Sequence, residues 1–232
     1  MSTQPTTPSP AILVGFTDLS PEARDALIAR GRERRWVRGE TVYSRFHPPA
    51  AVYSMTEGLA AMVAHTPNGY RRILSLFKPG DLAGARTLMP ELPEADHGIV
   101  AITPVAALEI SRRDLEEVGE DHPEVLIQVT RSFSQQIQDL GQRLMGVMSV
   151  EVRVRLARLL LDLSIAGTEA DDEVVELSWD LTHREMAEIV GASRPHVSSV
   201  LGELEEEGSV ERMGQEALRV RPARLQEIVS ES

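Results

Sequence analysis

The sequence predicts an α+β protein in which a small β-sandwich or barrel precedes a long helix, two short helices and a β-hairpin. Three observations predict this order. Short runs of alternating apolar and polar residues, separated by Gly, Pro and Asn, fill residues 36–112. Apolar residues at nearly heptad spacing follow Pro123. Near the C-terminus, Gly191 separates two short amphipathic segments, which is the spacing of a helix-turn-helix.

Composition limits the class of protein. The chain has 232 residues, 42% of them hydrophobic, and no cysteine, so disulfides, thiolate zinc sites and cysteine-ligated iron–sulfur clusters are excluded. No apolar run approaches the roughly 20 residues of a membrane span. The first residues lack the basic and apolar regions of a signal peptide. We therefore expect a disordered tail over residues 1–15 and a soluble, cytoplasmic protein that does not bind membranes.

The charge is unusual for a protein that binds nucleic acid. The formal net charge is -12, whereas general nucleic-acid binders are usually basic. From Val150 onward we count about 9 arginines and about 18 acidic residues, hence a net charge of about -9. Many of these acids fall in Glu169–Glu176 and Glu203–Glu207, which we interpret as runs that face solvent. DNA binding would therefore depend on specific contacts more than on non-specific attraction.

The first half of the chain begins with a short amphipathic helix. Residues Pro21–Arg30 place three small or apolar side chains on one face, namely Ala23, Ala26 and Leu27. The strand-like runs start at Trp36, and Asn68-Gly69 is a specific hairpin signal between two of them. Another helix is predicted from Arg112 to Val118. Closely spaced short strands of this kind indicate a sandwich or barrel.

A long helix is predicted from Pro123. Its apolar residues advance in steps of three and four, as in a coiled coil, and are Leu126, Val129, Phe133, Ile137, Leu140, Leu144 and Val147. Gln136 is among the glutamines predicted to face solvent. The pattern favours a dimerising helix, with a helix packed wholly within one chain as the alternative. Met148-Ser149 is the predicted hinge, and the next helix runs from Val152 to Leu163.

The helix-turn-helix signature consists of local signals. Thr182 followed by Glu185 is a capping box at the start of the first short helix. The apolar face of this helix is formed by Met186, Ile189 and Val190. Gly191 is suited to the positive φ of a helix C-terminus. An ordinary helical hairpin in a larger core is the alternative from this pattern alone.

The second short helix and the residues after it extend the signature. Ser193 can cap this helix and Pro195 lies in its first turn. The buried side is predicted to contain Val197, Val200, Leu201 and Leu204. Gly208 ends the helix, and a β-hairpin is predicted from strands at residues 210–212 and 217–220 with a turn at residues 213–215. A hairpin at this place is the wing of a winged helix-turn-helix.

This order of parts resembles the Crp-Fnr family of bacterial transcription regulators over roughly residues 16–229. The resemblance rests on Gly and Pro-Gly-Asp positions in the first half and on short motifs near the C-terminus: Gly39-Glu40, Gly58, Gly69, Pro79-Gly80-Asp81, Gly84, Leu181-Thr182-His183-Arg184-Glu185, Ile189-Val190-Gly191 and Ser193-Arg194. It implies a jelly-roll sensor domain like those that bind cyclic nucleotides at residues 16–121, a dimerisation helix and hinge at 122–149, and a winged helix-turn-helix DNA-binding domain at 150–232.

The resemblance also implies how DNA is read. A homodimer would bind a palindromic duplex, with base contacts from Arg194, Pro195 and Ser199. Arg194 can bond bidentately to guanine, and Pro195 offers only an apolar contact. Phosphate contacts, which position the protein without specifying sequence, are expected from Thr182, Arg184, Ser193, His196 and Ser198. An exposed loop at about residues 165–173 would meet RNA polymerase, so an activator is expected.

The resemblance fails at the nucleotide pocket. Relatives that bind cyclic nucleotides hold the ribose with a Glu after the cassette glycine and the phosphate with an Arg-Ser or Arg-Thr pair. Here Ala85 follows Gly84, and the pair falls near Asp96 and His97, where a carboxylate would repel a phosphate. Arg86 is a possible substitute cation. We therefore expect a degenerate pocket and no response to cAMP, with ligand-independent binding and an unrecognised effector both open.

Other chemistries receive little support. A haem-binding relative would use a His, and His47, His65 and His97 lie in the predicted sensor domain without a haem signature. The H-x-H pair followed by Glu of a metal-dependent cupin enzyme is missing. No cofactor, metal or catalytic site is therefore expected. Besides the DNA-binding regulator, one alternative of another class stays open: a protein-interaction module whose acidic winged domain no longer binds DNA.

Overall fold

The computed structural model describes residues 16, 18–44, 51–66, 68–88, 97–165, 174–177, 179, 181–213 and 217–230. Contacts divide the chain into two compact units. The first contains Met1–Val63 and Leu76–Gln138, and the second contains Ala64–Ser75 and Asp139–Ser232. The predicted domain boundaries at residues 16, 122 and 150 stay predictions.

The first half of the chain is a pair of four-stranded sheets. Its strands are β1 (Arg32–Trp36), β2 (Thr41–Tyr43), β3 (Ala51–Glu57), β4 (Ala60–His65), β5 (Arg71–Phe77), β6 (Leu82–Ala83), β7 (His97–Ala101) and β8 (Val105–Ser111). One sheet has the order β1-β8-β3-β6 and the other the order β2-β7-β4-β5. The hairpin predicted at Asn68-Gly69 is confirmed, because Thr66 donates its N–H to Tyr70 O at 2.9 Å between β4 and β5.

The helices follow the predicted order with one addition at the C-terminus. They are α1 (Pro21–Arg30), α2 (Arg112–Asp121), α3 (Glu124–Ser149), α4 (Val152–Ile165), α5 (His183–Val190), α6 (Arg194–Glu206) and α7 (Pro222–Ser230). A three-stranded sheet of order β10-β11-β9 has one strand before α5 and two after α6; its strands are β9 (Val175–Glu176), β10 (Val210–Met213) and β11 (Ala217–Val220). The α+β fold class with an N-terminal β domain, a long helix and a winged helix-turn-helix is confirmed.

The β-sheets bury two apolar clusters. One lies within the sandwich and contains a T-shaped pair, in which the ring centroids of Trp36 and Tyr53 are 5.8 Å apart. The other, the helix-side cluster, is formed together with the helices and includes Leu27 of α1, Leu108 of β8 and Val125 of α3. Because sheet residues alternate between faces, β8 and β3 serve both clusters, which is why their sequences are almost continuously apolar.

Three details differ from the sequence expectations. The first strand, β1, begins four residues before Trp36. The sequence pattern missed this start because β1 is an edge strand whose charged residues, RERR, are not buried, and only Trp36 is buried. Ile189 is only partly buried, whereas Met186 and Val190 of the same predicted face are buried. Met213 belongs to β10 rather than to the turn, and the rest of that turn lies outside the described residues.

The long helix divides its apolar residues between two environments. Val129 is buried in the helix-side cluster of its own chain, and Phe133 packs at the edge of that cluster. Gln136 is not a solvent-facing residue, because its Nε2 donates to Leu82 O at 2.6 Å. Further along, Ile137, Leu144 and Val147 are exposed. Of the helices described, none combines the length and apolarity needed to cross a membrane.

Candidate nucleic-acid interface

The first helix of the pair, α5, is held at its start by reciprocal hydrogen bonds. The Glu185 N–H donates to Thr182 Oγ1 at 3.2 Å, and the Thr182 N–H donates to Glu185 Oε2 at 2.8 Å. The Thr182 hydroxyl also donates to Glu185 Oε2 at 2.8 Å. This confirms the capping box. Because the Thr182 hydroxyl already donates its proton to Glu185, an approaching phosphate would compete with Glu185 for that proton.

A tight turn follows α5. Gly191 has a φ of 70°, a backbone conformation that would be strained for a residue with a side chain. Its N–H donates to Ala187 O, so α5 closes at that residue. Only Ala192 and Ser193 separate Gly191 from the start of α6. The predicted role of Gly191 is confirmed.

The start of α6 is the exposed end of the helix pair. The Ser193 hydroxyl accepts the His196 N–H at 3.4 Å, and Pro195 occupies the first turn as predicted. The side chains predicted to be buried are all buried, namely Val197, Val200, Leu201 and Leu204. The exposed set contains Ser193, Arg194, Pro195, His196 and Ser199. Residues predicted to touch bases therefore share one accessible helix end.

Two further predicted DNA-contact residues, Arg184 and Ser199, are paired with carboxylates in the free protein. Arg184 Nε is 3.0 Å from Glu188 Oε1, although the Arg184 side chain is largely exposed. The Ser199 hydroxyl is 3.4 Å from Glu203 Oε1. Glu203 is exposed, so a base edge competes for Ser199 at modest cost. Glu188 is buried, so drawing Arg184 away from it costs more.

Ser198 has a partner that the sequence did not reveal. Its Oγ lies 2.8 Å from Nδ1 of His183, the first residue of α5. Burial lowers the pKa of His183, and the positive charges of Arg212 and Arg194 lower it further. His183 and Arg212 are therefore functional candidates that sequence reasoning missed. The only available signal was that His183 directly follows the capping residue of α5.

The acidic run at the other end of α6 is largely paired with arginines. Arg153 of α4 bonds to Glu207, and its Nη1 lies 3.9 Å from Glu203 Oε2. Arg212 Nε of β10 lies 3.2 Å from Glu205 Oε2. The carboxylates are thus at the C-terminal end of α6, about a helix length from Arg194. How residues 203–207 are oriented relative to DNA stays a prediction.

One carboxylate of α5 is buried. Glu188 is paired with Arg184, and Arg71 Nη1 of β5 lies 3.5 Å from Glu188 Oε2 at an ion-pair distance that lacks hydrogen-bond geometry. Arg71 and Glu188 both belong to the second compact unit, which includes Ala64–Ser75. A buried carboxylate needs such partners because desolvation opposes its charge. No sequence signal linked residue 71 to α5.

The predicted effector pocket is only partly within the described residues. Gly84 has a φ of 91°, and a Cβ there would lie 2.7 Å from Ala51 O, so glycine is required. Ala85 and Arg86 begin a short 3₁₀ helix, Ala85–Leu88. Asp96 and the haem candidate His47 lie outside the described residues, and His97 begins β7. Among the described residues, no cluster of three or more His, Cys, Asp or Glu is arranged to hold a metal.

The predicted dimer seam is exposed along its second half. Ile137 is 71% exposed, Leu144 62% and Val147 50%. Leu126 is also exposed, and Leu140 is partly buried. Large apolar side chains in a row on one helix are an interaction surface when they have no partner in their own chain. Val129 belongs to the core, so the seam available to a second copy is shorter than the heptad pattern implied.

Comparisons with known proteins match both halves of the chain. A cyclic nucleotide-binding domain model matches residues 33–122, and a Crp-like helix-turn-helix domain model matches residues 154–228. The chain is 26% identical over 203 residues to the CRP-like cAMP-activated global transcriptional regulator of Mycobacterium tuberculosis, which spans 88% of this chain and 90% of that protein.

Two relatives from Thermus thermophilus show the same likeness. The cyclic AMP receptor protein is 27% identical over 215 residues, covering 93% of this chain and 95% of that protein. The crystal structure of a CRP/FNR family transcriptional regulator superposes with a TM-score of 0.69 at 26% identity, covering 86% of this chain and 98% of that one. These proteins are regulators rather than enzymes. With both domain models in the expected order and the capped α5–α6 pair in place, the chain belongs to the Crp-Fnr family of DNA-binding transcription regulators.

Proposed function

We propose that the protein is a homodimeric activator that reads a palindromic DNA site through α6 and does so without cAMP. One observation carries the DNA-binding part. The N-terminal end of α6 presents Arg194, Pro195 and His196 to solvent, while the opposite side of the helix is fully packed. In a helix-turn-helix the second helix enters the major groove by this end.

Sequence selection would come mainly from Arg194. A bidentate bond from its guanidinium to guanine O6 and N7 discriminates against a wrong base by about 1–3 kcal/mol. Pro195 contributes apolar contact, and Ser199 is short and places little demand on the base. Phosphate contacts from Ser193, His196 and Ser198 would fix the register of the helix, as would Thr182 and Arg184.

Dimerisation is proposed along the exposed part of α3. Ile137, Leu140, Leu144 and Val147 retain the heptad-like spacing that the sequence shows. Two such helices side by side would cover these side chains, and a two-fold dimer would present two copies of α6 to a palindrome. The relatives named above belong to a family whose members bind DNA as dimers.

Independence from cAMP is proposed from the segment after β6. Two of the named relatives are described as cAMP-activated or as a cyclic AMP receptor, whereas here Ala85 follows Gly84 where the resemblance expects Glu. Leu82 is buried in the helix-side cluster and Leu88 packs against it. A segment packed on its own chain in this way needs no ligand to complete it.

The activator role is proposed from a single segment before the helix-turn-helix. It depends on the loop at residues 165–173, which the family uses to contact RNA polymerase. Residues 166–173 lie outside the described residues. Alanine substitutions across that loop are expected to abolish activation in a reconstituted transcription assay while leaving DNA affinity unchanged.

The decisive experiment is selection of binding sites from a random DNA pool by the purified, ligand-free protein, followed by affinity measurement with and without cAMP. We expect a palindrome that is recovered without ligand and bound equally well with cAMP. Binding that appears only with cAMP contradicts the proposed independence. Recovery of no sequence in either condition favours an unrecognised effector or a protein-interaction module.

Arg194 provides the sharper test of the interface. Arg194→Ala is expected to remove sequence selection, and Arg194→Lys should keep non-specific binding while losing preference at the guanine, because Lys cannot form the bidentate pair. Arg113→Ala on α2, an exposed arginine outside the helix pair, is the matched control. Selection of the same site by Arg194→Ala contradicts the assignment of α6 as the reading helix.

A protein-interaction module remains the second candidate, favoured by the charge of about -9 after Val150. Salt dependence separates the two functions. A DNA-binding dimer releases counterions, so its affinity falls steeply as salt concentration rises. No binding of any duplex at low salt supports the module.

A further inference from the structure

The contact between His183 and Ser198 joins the start of α5 to the second turn of α6. His183 Nδ1 and Ser198 Oγ are 2.8 Å apart, and both side chains are partly exposed. They neighbour the exposed end of α6 through which DNA is proposed to be read. The pair therefore lies where a phosphate of bound DNA would approach.

The protonation state of His183 decides how many hydrogens this pair can offer. In one neutral form Nδ1 accepts the Ser198 proton, and only the Nε2–H is left to donate. In the other, Nδ1–H donates to Ser198, the hydroxyl is left to donate, and Nε2 is a bare acceptor that repels phosphate oxygen. The imidazolium donates through Nδ1 to Ser198 and keeps both Nε2–H and the Ser198 hydroxyl for a partner. Protonation thus raises the available donors from one to two and adds a positive charge.

The charges around His183 disfavour that protonation in the free protein. Burial is the largest cause of its lowered pKa, followed by Arg212 of β10 and Arg194 of α6. On its own helix, Arg184 is directed to Glu188, and Glu185 is engaged with Thr182. Duplex phosphates would offset the two arginine charges and accept the extra donors. Both effects favour the imidazolium in the complex.

We propose that the protein takes up one proton at His183 when it binds duplex DNA, so that its affinity for the phosphate backbone increases as the pH falls. The inference rests on the proposed DNA-binding function. By linkage, affinity changes only between the lowered pKa of His183 in the free protein and its higher pKa in the complex. Within that window, uptake of one proton strengthens binding by at most about tenfold per pH unit.

The test uses the full-length protein and a mixed-sequence duplex, because a phosphate contact does not require the palindrome. The dissociation constant is measured from about pH 5.5 to 8 at constant ionic strength, where carboxylates stay ionised and His titrates. The wild type is expected to bind more tightly as the pH falls. His183→Gln should bind with little pH dependence, and His65→Gln, the matched control at an exposed histidine of β4, should keep the wild-type slope.

A second measurement separates proton uptake from a structural role. The His183 ring resonances are titrated by NMR with and without DNA, and the pKa is expected to rise on binding. Thermal unfolding of His183→Gln at about pH 8 checks that the variant is folded. A wild-type slope retained in His183→Gln, or an unchanged His183 pKa in the complex, overturns the inference and leaves the proposed function intact. Failure of the wild type to bind any duplex at any pH instead contradicts the proposed function.

Discussion

Helices α3 and α6 both carry apolar residues at helical spacing, yet their burial differs. On α6 the four predicted apolar residues are buried, and Leu201 is 0% exposed. On α3, Val129 is buried whereas Ile137 and Leu144 are mostly exposed. The difference shows that periodicity identifies a face that needs a partner but does not say where the partner is. For α6 it is the same chain; for the second half of α3 we propose a second copy.

The largest expected effect on the free energy of unfolding comes from truncating a buried side chain of α6. Leu201→Ala leaves a cavity in the core of the C-terminal domain and is expected to lower its free energy of unfolding by about 2–5 kcal/mol. Urea denaturation monitored by circular dichroism measures the change. Leu144→Ala is the matched control, and in dilute, monomeric protein it should cost far less. Equal losses in the two variants would contradict the difference in burial.

The proposal that the exposed apolar face of α3 packs against a second copy is tested by introducing charge into that face. Ile137→Glu combined with Leu144→Glu should prevent two α3 helices from packing together, because burial of unpaired carboxylates is strongly unfavourable. Sedimentation equilibrium is expected to show a monomer, with lost affinity for a palindrome. Gln138→Glu, an exposed neighbour of Ile137, controls for charge alone. A dimer that persists in the double variant would place the interface elsewhere.

The smallest expected effect concerns the cap that starts α5. Thr182→Ala removes the hydroxyl that accepts the Glu185 N–H and is expected to lower the free energy of unfolding by about 1 kcal/mol. Helix α5 has only eight residues, so it depends on its cap and its packing more than the 26-residue α3 does. Thr130→Ala on α3, where the hydroxyl only donates back to Leu126 O, should cause no comparable loss in the same denaturation experiment.

The helix-turn-helix was predictable because its signals are local. Thr182 with Glu185, Gly191, and Ser193 with Pro195 each act within four residues, so the sequence alone specifies where α5 ends and α6 begins. The Asn68-Gly69 hairpin was predictable for the same reason. The residue after Gly84 is equally local: the sequence shows directly that Ala85 stands where the resemblance expects the ribose-binding Glu.

Contacts between distant segments were decided only by the tertiary structure. The sequence placed Gln136 in solvent, but the fold brings Leu82 O within 2.6 Å of its amide. It gave no link between Arg71 and Glu188, or between His183 and Ser198, since neither pair has a characteristic spacing along the chain.

The sequence also cannot show which charged residues pair or which apolar faces are covered. The acidic total of the chain is a property of its composition, whereas pairing of Glu203, Glu205 and Glu207 with arginines depends on how α4 and β10 pack beside α6. The sequence by itself determined the order of elements, their caps and turns, and the faces that must be covered. Only the tertiary structure decided which faces are covered by the same chain, because burial depends on neighbours that are far away in sequence.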